Sequence, residues 1–191
     1  MTDQQPENSA LADVRVLDLS RILAGPSATQ ILGDLGADVV KIEHPAGGDD
    51  TRRWGPPFID TSDGQRAEAA YFACCNRNKR SVALDFSKPE DIETLKKMVR
   101  VADVLVENFK FGGLEKYGLD FASLQKINPK LIYCSITGFG HSGPYAHRPG
   151  YDFLIQGMGG LMSITGQPDG TSGAEPMKVG VAICDLFTGL N

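Results

Sequence analysis

The chain has 191 residues, 41% of them hydrophobic and 23% charged, with a formal net charge of -5 at pH 7. This is the make-up of a soluble globular protein that buries its core without disulfides. The acidic balance argues against a nucleic-acid binder, and no apolar run approaches the ~18 residues of a membrane span. The polar start Met1-Thr2-Asp3-Gln4-Gln5-Pro6-Glu7-Asn8 has neither the basic start and apolar core of a secretory peptide nor the Arg-rich, acid-poor pattern of a presequence. Residues 1–12 read as a disordered leader on a cytoplasmic protein.

From there strands and helices alternate. Val14-Arg15-Val16-Leu17-Asp18-Leu19 is a β-branched, apolar run and predicts a strand. A Gly25-Pro26 turn follows, then a helix through Ala28, Ile31, Leu32 and Leu35, with Gly36 as its stop. Asp38–Glu43 predicts the next strand, so the first unit is βαβ with parallel strands. The Gly-, Pro- and Asp-rich segment from His44 to about Asp63 reads as a long functional excursion. Ala67–Cys75 predicts a helix and Ser81–Asp85 a strand. Ser87-Lys88-Pro89-Glu90 has the form of a capping box, opening a helix with Ile92, Leu95, Met98, Val99 and Ala102 on one face. Asp103–Glu107 and Leu131–Ile136 predict further strands, with a helix near Phe121, Leu124 and Ile127 between them. The expected fold class is α/β, a Rossmann-like, doubly wound open parallel sheet. After Gly138 comes a Gly/Pro/His loop, a helix from Tyr151, the pair Gly159-Gly160, a polar turn, and an apolar run around Asp185.

Several motifs are weighed against plainer readings. Gly138-Phe139-Gly140-His141-Ser142-Gly143 matches the glycine spacing of a dinucleotide fingerprint, but Pro144 and Pro149 forbid the helix that must open there. No dinucleotide or other permanently bound cofactor is expected. His44, His141 and His147 are too scattered for a metal site, and none is expected. His44 is an ordinary loop histidine or, at a strand's C-terminal end, a ligand contact. Cys74, Cys75, Cys134 and Cys184 read as buried thiols of a reducing compartment. Asn76-Arg77-Asn78-Lys79-Arg80 is a solvated turn or a phosphate contact. Trp54 is a packing lid or a ligand platform. Asp185 is a helix N-cap or a carboxylate nucleophile that helix-terminal N–H groups keep ionised.

Taken in order, certain runs resemble the family III CoA-transferases from Val14 almost to the end. They are Asp18–Pro26, Leu35–Glu43, Gly48–Arg52, Asn76–Ser81, Asp103–Phe109, Ile136–Gly140 and Asp185. The resemblance implies transfer of coenzyme A from an acyl-CoA to a small carboxylic acid through an aspartyl-CoA thioester, with acyl-CoA as substrate. It puts the catalytic aspartate at Asp185. It puts coenzyme contacts at Leu23, Ala24, His44, Leu84, Asp85, Phe86, Ser87, Asn108, Phe109 and Lys116. Trp54, Tyr71 and Tyr151 fall near the acyl and acid site, and Gly159-Gly160 near the oxyanions. Lys116 stands where relatives often have Arg, and Leu23 where some oxalate-using relatives have Gln.

The resemblance further implies an intertwined homodimer. Residues 13–191 correspond to the N-terminal part of its large domain, with the small domain and the returning C-terminal segment absent. A non-catalytic fragment that binds CoA or full-length partners is therefore one alternative. An α-methylacyl-CoA racemase is another, though Tyr151-Asp152 lacks the His such enzymes place there. The Gly48–Pro57 run resembles that of dicarboxylate-using relatives, which implies succinate or glutarate as the acid.

Overall fold

The computed structural model describes residues 9–60 and 66–191. In chain order its elements are β1 (Arg15–Asp18), α1 (Ala24–Asp34), β2 (Asp38–Glu43), a 3-10 turn (Asp50–Arg53), β3 (Phe58–Asp60), β4 (Arg66–Ala69) and α2 (Ala70–Cys74). These are followed by β5 (Lys79–Ala83), α3 (Pro89–Val99), β6 (Val104–Glu107), a 3-10 turn (Glu115–Tyr117), α4 (Phe121–Ile127) and β7 (Ile132–Ser135). Last come α5 (Asp152–Met158), a 3-10 turn (Leu161–Ser163) and α6 (Ile183–Leu190).

Five strands form one parallel sheet in the order β5-β2-β1-β6-β7. The chain winds outward from β1 in one direction, then returns to its other side. The loops after β1 and β6 therefore diverge, leaving a crevice at their carboxyl ends where open α/β sheets take ligands. The expected doubly wound sheet is the one observed. Strand alternation sends Val16, Val39 and Val106 to one face, where they pack with Ala37 and Leu32 of the α1 corner. Leu17, Ile42 and Leu105 go to the other, against Leu95 and Val99 of α3 and Leu124 of α4. α6 lies on α1, and α5 against α6.

The helix α1 stops as its sequence dictates. Ala37 N–H returns to Leu32 O and Gly36 N–H to Gly33 O, both at 3.0 Å, with Gly36 at φ +102. This is a Schellman ending, which needs a residue tolerant of the left-handed region. Elsewhere the structure corrects the sequence reading. Residues 66–69 are strand rather than helix, because Phe58 and Ile59 pair with Ala69 and Glu68 across an antiparallel ladder. That pairing outweighs the local preference of an Ala-rich run for helix. The capping box does not form. Ser87 Oγ donates instead to Asp85 Oδ1 at 2.7 Å, and Lys88 stands uncapped at the start of α3. Of the expected leader, residues 9–12 belong to the described structure. Ser9–Asp13 form a turn, with Leu11 N–H bonded to Leu35 O at 3.0 Å, while residues 1–8 lie outside the described residues. Of the cysteines only Cys75 is buried; Cys74 and Cys134 are exposed and Cys184 is intermediate. Among the described residues, no helix is long and apolar enough to cross a membrane.

Candidate active site

A cavity of about 420 Å³ opens at the carboxyl ends of β1, β2, β5 and β6. That size suits a small-molecule site, ~300–1,000 Å³. Of the residues singled out from sequence, His44, Leu84, Asp85, Phe86, Ser87 and Phe109 line it. Phe86 stands 6.2 Å from Phe109 and 5.8 Å from Tyr117, ring centre to centre, which makes an aromatic wall. The Arg21 guanidinium sits 5.7 Å from the centre of the Phe109 ring. His44 Nδ1 accepts from Ala46 N–H at 3.1 Å, and its Nε2 is 3.7 Å from Asp85. Flat apolar walls with polar groups and a cation beside them suit an aromatic ring carrying anionic substituents.

Four expected contacts lie off this lining. Leu23 and Ala24 are buried at the start of α1. Asn108 bridges the crevice: its Oδ1 accepts from Arg21 N–H at 2.9 Å and its Nδ2 donates to Arg21 O at 2.7 Å. Lys116 turns its ammonium over the Tyr117 ring at 4.6 Å. Arg21 and Tyr117, which do line the cavity, were missed. Arg21 lies within the run Asp18–Pro26 and Tyr117 adjoins the expected contact Lys116, and those positions were the available signal.

Beneath the crevice lies a buried charge network. Parallel register sets Asp18 of β1 beside Lys41 of β2. The Lys41 ammonium, 1% exposed, donates to Ser20 O at 2.8 Å and is 3.1 Å from Asp49. Asp49 in turn accepts from Ile22 N–H at 3.2 Å, holding this β-branched residue at φ +74, a conformation it rarely adopts. Asp18 accepts from Lys79 at 2.9 Å, Thr29 Oγ1 at 2.7 Å and Ser20 Oγ at 2.5 Å. Burial alone would push the Asp18 carboxyl up, but Lys41 and Lys79 hold it below the usual carboxylate range. The basic run is likewise spent on the fold: Arg77 pairs with Asp34, Lys79 with Asp18, and Arg80 with Asp38.

Glu43, at the end of β2, accepts from Arg52 at 2.6 Å and from Ser81 Oγ at 2.5 Å. Burial pushes this carboxyl up, yet bonds from Arg52, Ser81 and the Asp49 N–H hold it down at about 2. Its folded value lies below its unfolded one, so its contribution is present above about pH 4.5 and is lost as pH falls towards about 2. Acid unfolding followed through that window is expected to show a pH slope that Glu43→Gln reduces. An equal slope in both proteins would contradict the assignment.

Asp185 lies in the first turn of α6, and the helix starts three residues earlier than an N-cap at Asp185 would require. Ala182 occupies the cap position. The expectation that helix N–H groups keep Asp185 ionised is also corrected. The Cys184 and Asp185 N–H groups bond instead to Asp152, and burial with the Asp152 charge pushes the Asp185 carboxyl up. One turn further on, α6 crosses α1 so closely that a Cβ on Gly189 would come within 2.6 Å of Ala24 O. This contact ties α6 to the α1 start that follows the crevice loop.

Trp54 meets Tyr71 edge-on at 5.5 Å, and the Tyr71 hydroxyl is pushed up to about 12 by burial and by Asp185. Tyr151 is 69% exposed at the start of α5. At Gly160 the backbone has φ +80, and a Cβ there would meet nothing within 4 Å. Within this chain Gly160 thus serves a turn, whereas a Cβ on Gly159 would come within 3.0 Å of Ile155 O. Among the described residues, no group of three or more His, Cys, Asp or Glu could hold a metal ion.

An open parallel α/β sheet, with an aromatic-walled cavity at its switch point and an aspartate on a helix packed against α1, defines an α/β domain with a small-molecule-sized site at the carboxyl edge of its sheet. Residues 11–191 match CoA-transferase family III. The chain belongs to that family. It is 56% identical over 190 residues to a succinate–glutarate CoA-transferase of Agrobacterium fabrum, covering 100% of this chain and 46% of the relative. It is 50% identical over 180 residues to a mouse succinyl-CoA:glutarate CoA-transferase, covering 94% and 39%. A CaiB/BaiF family protein from Brucella suis superimposes with a TM-score of 0.89 at 61% identity, over 96% of this chain and 47% of that one. The chain thus spans less than half the length of the relatives it matches.

Proposed function

We propose that the protein carrying this chain transfers coenzyme A from an acyl-CoA to a free carboxylic acid, with Asp185 as the acyl acceptor. The observation that carries this reading is a half-buried carboxylate, without a hydrogen-bond donor among the described residues, on a helix tied to the ligand crevice through Gly189 and Ala24. The aromatic-walled cavity takes the nucleotide end of coenzyme A, against His44, Leu84, Asp85, Phe86, Ser87 and Phe109. Leu23 and Ala24 flank the path towards Asp185, with Asn108 bracing the loop and Lys116 adding a cation. Trp54, Tyr71 and Tyr151 contact the acyl and acid groups. No other cofactor takes part.

In the reaction, an Asp185 oxygen attacks the thioester carbonyl. The C–S bond breaks, giving a mixed anhydride and the CoA thiolate. The thiolate attacks the aspartyl carbonyl, and the first acid leaves as its carboxylate. The second carboxylate attacks the aspartyl-CoA thioester and expels the thiolate again. Attack of that thiolate on the new acyl carbonyl releases the second acyl-CoA and restores Asp185. No net proton is exchanged. Likeness to the two named relatives supports succinate or glutarate as the acid. Residues 13–191 form the N-terminal part of a large domain, completed by further sequence and by a second copy in an intertwined dimer. The free thiols agree with a cytoplasmic location.

The test is to incubate the full-length protein with succinyl-CoA and trap the enzyme with hydroxylamine. The expected product is a hydroxamate at residue 185, with CoA released. Absence of any adduct would contradict the reading. The racemase alternative predicts deuterium wash-in beside the thioester, and Tyr151, in place of a His, speaks against it.

A further inference from the structure

The helix α6 has no cap of its own. Ala182 offers no side-chain acceptor, although the first N–H groups of a helix need one. The acceptor comes from α5. Asp152 Oδ1 accepts from Cys184 N–H at 2.7 Å and from Asp185 N–H at 3.3 Å. Asp152 Oδ2 accepts from the Gln156 amide at 2.6 Å. Gln156 is fully buried, and its own oxygen accepts from Val179 N–H at 2.8 Å. The approach to α6 and its first turn are therefore both held by α5.

This arrangement places two carboxylates at one helix start. A carboxylate in the first turn normally gains from the free N–H groups there. Here Asp152 takes those of Cys184 and Asp185. We propose that Asp152 is a positioning residue for the reaction proposed above: by fixing the first turn of α6 and occupying its N–H groups, it presents Asp185 as a rigid, poorly hydrogen-bonded and strongly nucleophilic carboxylate. The titratable groups facing Asp185 are Asp152 from α5, Tyr71 from α2 and Cys184 on α6. α1, which packs on α6, carries only Asp34, at its far end and paired with Arg77. None of these is a cation. Burial and the Asp152 charge both push the Asp185 carboxyl up.

The inference rests on the acyl-acceptor role of Asp185, and one assay separates the two. The rate of adduct formation from succinyl-CoA is followed against pH in the full-length wild type and in Asp152→Asn. The variant keeps an oxygen for the α6 N–H groups but loses the charge. Its plateau rate is expected to fall about tenfold or more, with KM for succinyl-CoA within about twofold. The acid limb of its profile is expected to move to lower pH, because removing a like charge favours the ionised form. A purely structural role would not move that limb, and an unmoved limb overturns the inference while leaving Asp185 as acceptor. No adduct in the wild type overturns both. If Asp152→Asn does not fold, the wild-type profile decides: its limb must lie above the ordinary aspartate value of about 3.9, and a limb at that value overturns the inference.

Discussion

Lys41→Met is expected to lower the unfolding free energy by about 3–5 kcal/mol, among the largest effects of any single change in this sheet. Lys41 is surrounded by protein, and its ammonium serves Asp49, Ser20 O and, at 4.0 Å, Asp18. Methionine fills nearly the same volume, so the loss is electrostatic rather than one of packing. It leaves two buried carboxylates with one fewer cation between them. Asp18 keeps Lys79, but Asp49 keeps only backbone donors and the Thr51 hydroxyl. Breaking a buried pair in this way costs more than the pair contributes, because the remaining charge stays desolvated. The deficit is expected to shrink on acidification. The folded Asp18 carboxyl is held low in the wild type, so its contribution is present above the unfolded value and lost as pH falls. Denaturant midpoints of the full-length protein at neutral and acid pH test this, provided the m-value is unchanged. A midpoint shift equivalent to less than about 1 kcal/mol at neutral pH would show that the network is not needed for stability.

That network shows why the sequence disclosed the fold more readily than the site. Each strand of the large sheet was visible as a short run, though β5 starts at Lys79 rather than Ser81, and Gly36 marked the end of α1, because period and turn chemistry are local properties. Ala67–Ala69 was misread because its strand character comes from Phe58 and Ile59, not from its own alanines. Lys41 looks like an exposed lysine in a strand. Only the parallel register, which sets it beside Asp18, makes it a buried partner. The cavity was half legible. His44, Leu84–Ser87 and Phe109 follow strand ends, where this fold takes ligands, whereas Arg21 and Tyr117 reach it through loop geometry that no spacing encodes. The first turn of α6 was hidden for a similar reason. Asp152 and Asp185 are distant in sequence, and only folding makes one the cap of the other's helix.

Asp185→Ala is expected to lower the exchange of CoA between an acyl-CoA and a free acid by at least about 10⁴-fold in the full-length protein. The change should not harm folding. The side chain accepts no hydrogen bond among the described residues and faces the like charge of Asp152. A carboxyl pushed above its unfolded value costs stability once ionised, so removing it should leave the protein equally stable or more so at neutral pH. A folded, inactive variant therefore separates chemistry from structure. The decisive measurement is the rate at which isotopically labelled succinate enters succinyl-CoA, wild type against Asp185→Ala, in proteins of equal thermal stability. The account predicts rapid label entry in the wild type and none above background in the variant; label entry at the wild-type rate in the variant would contradict it.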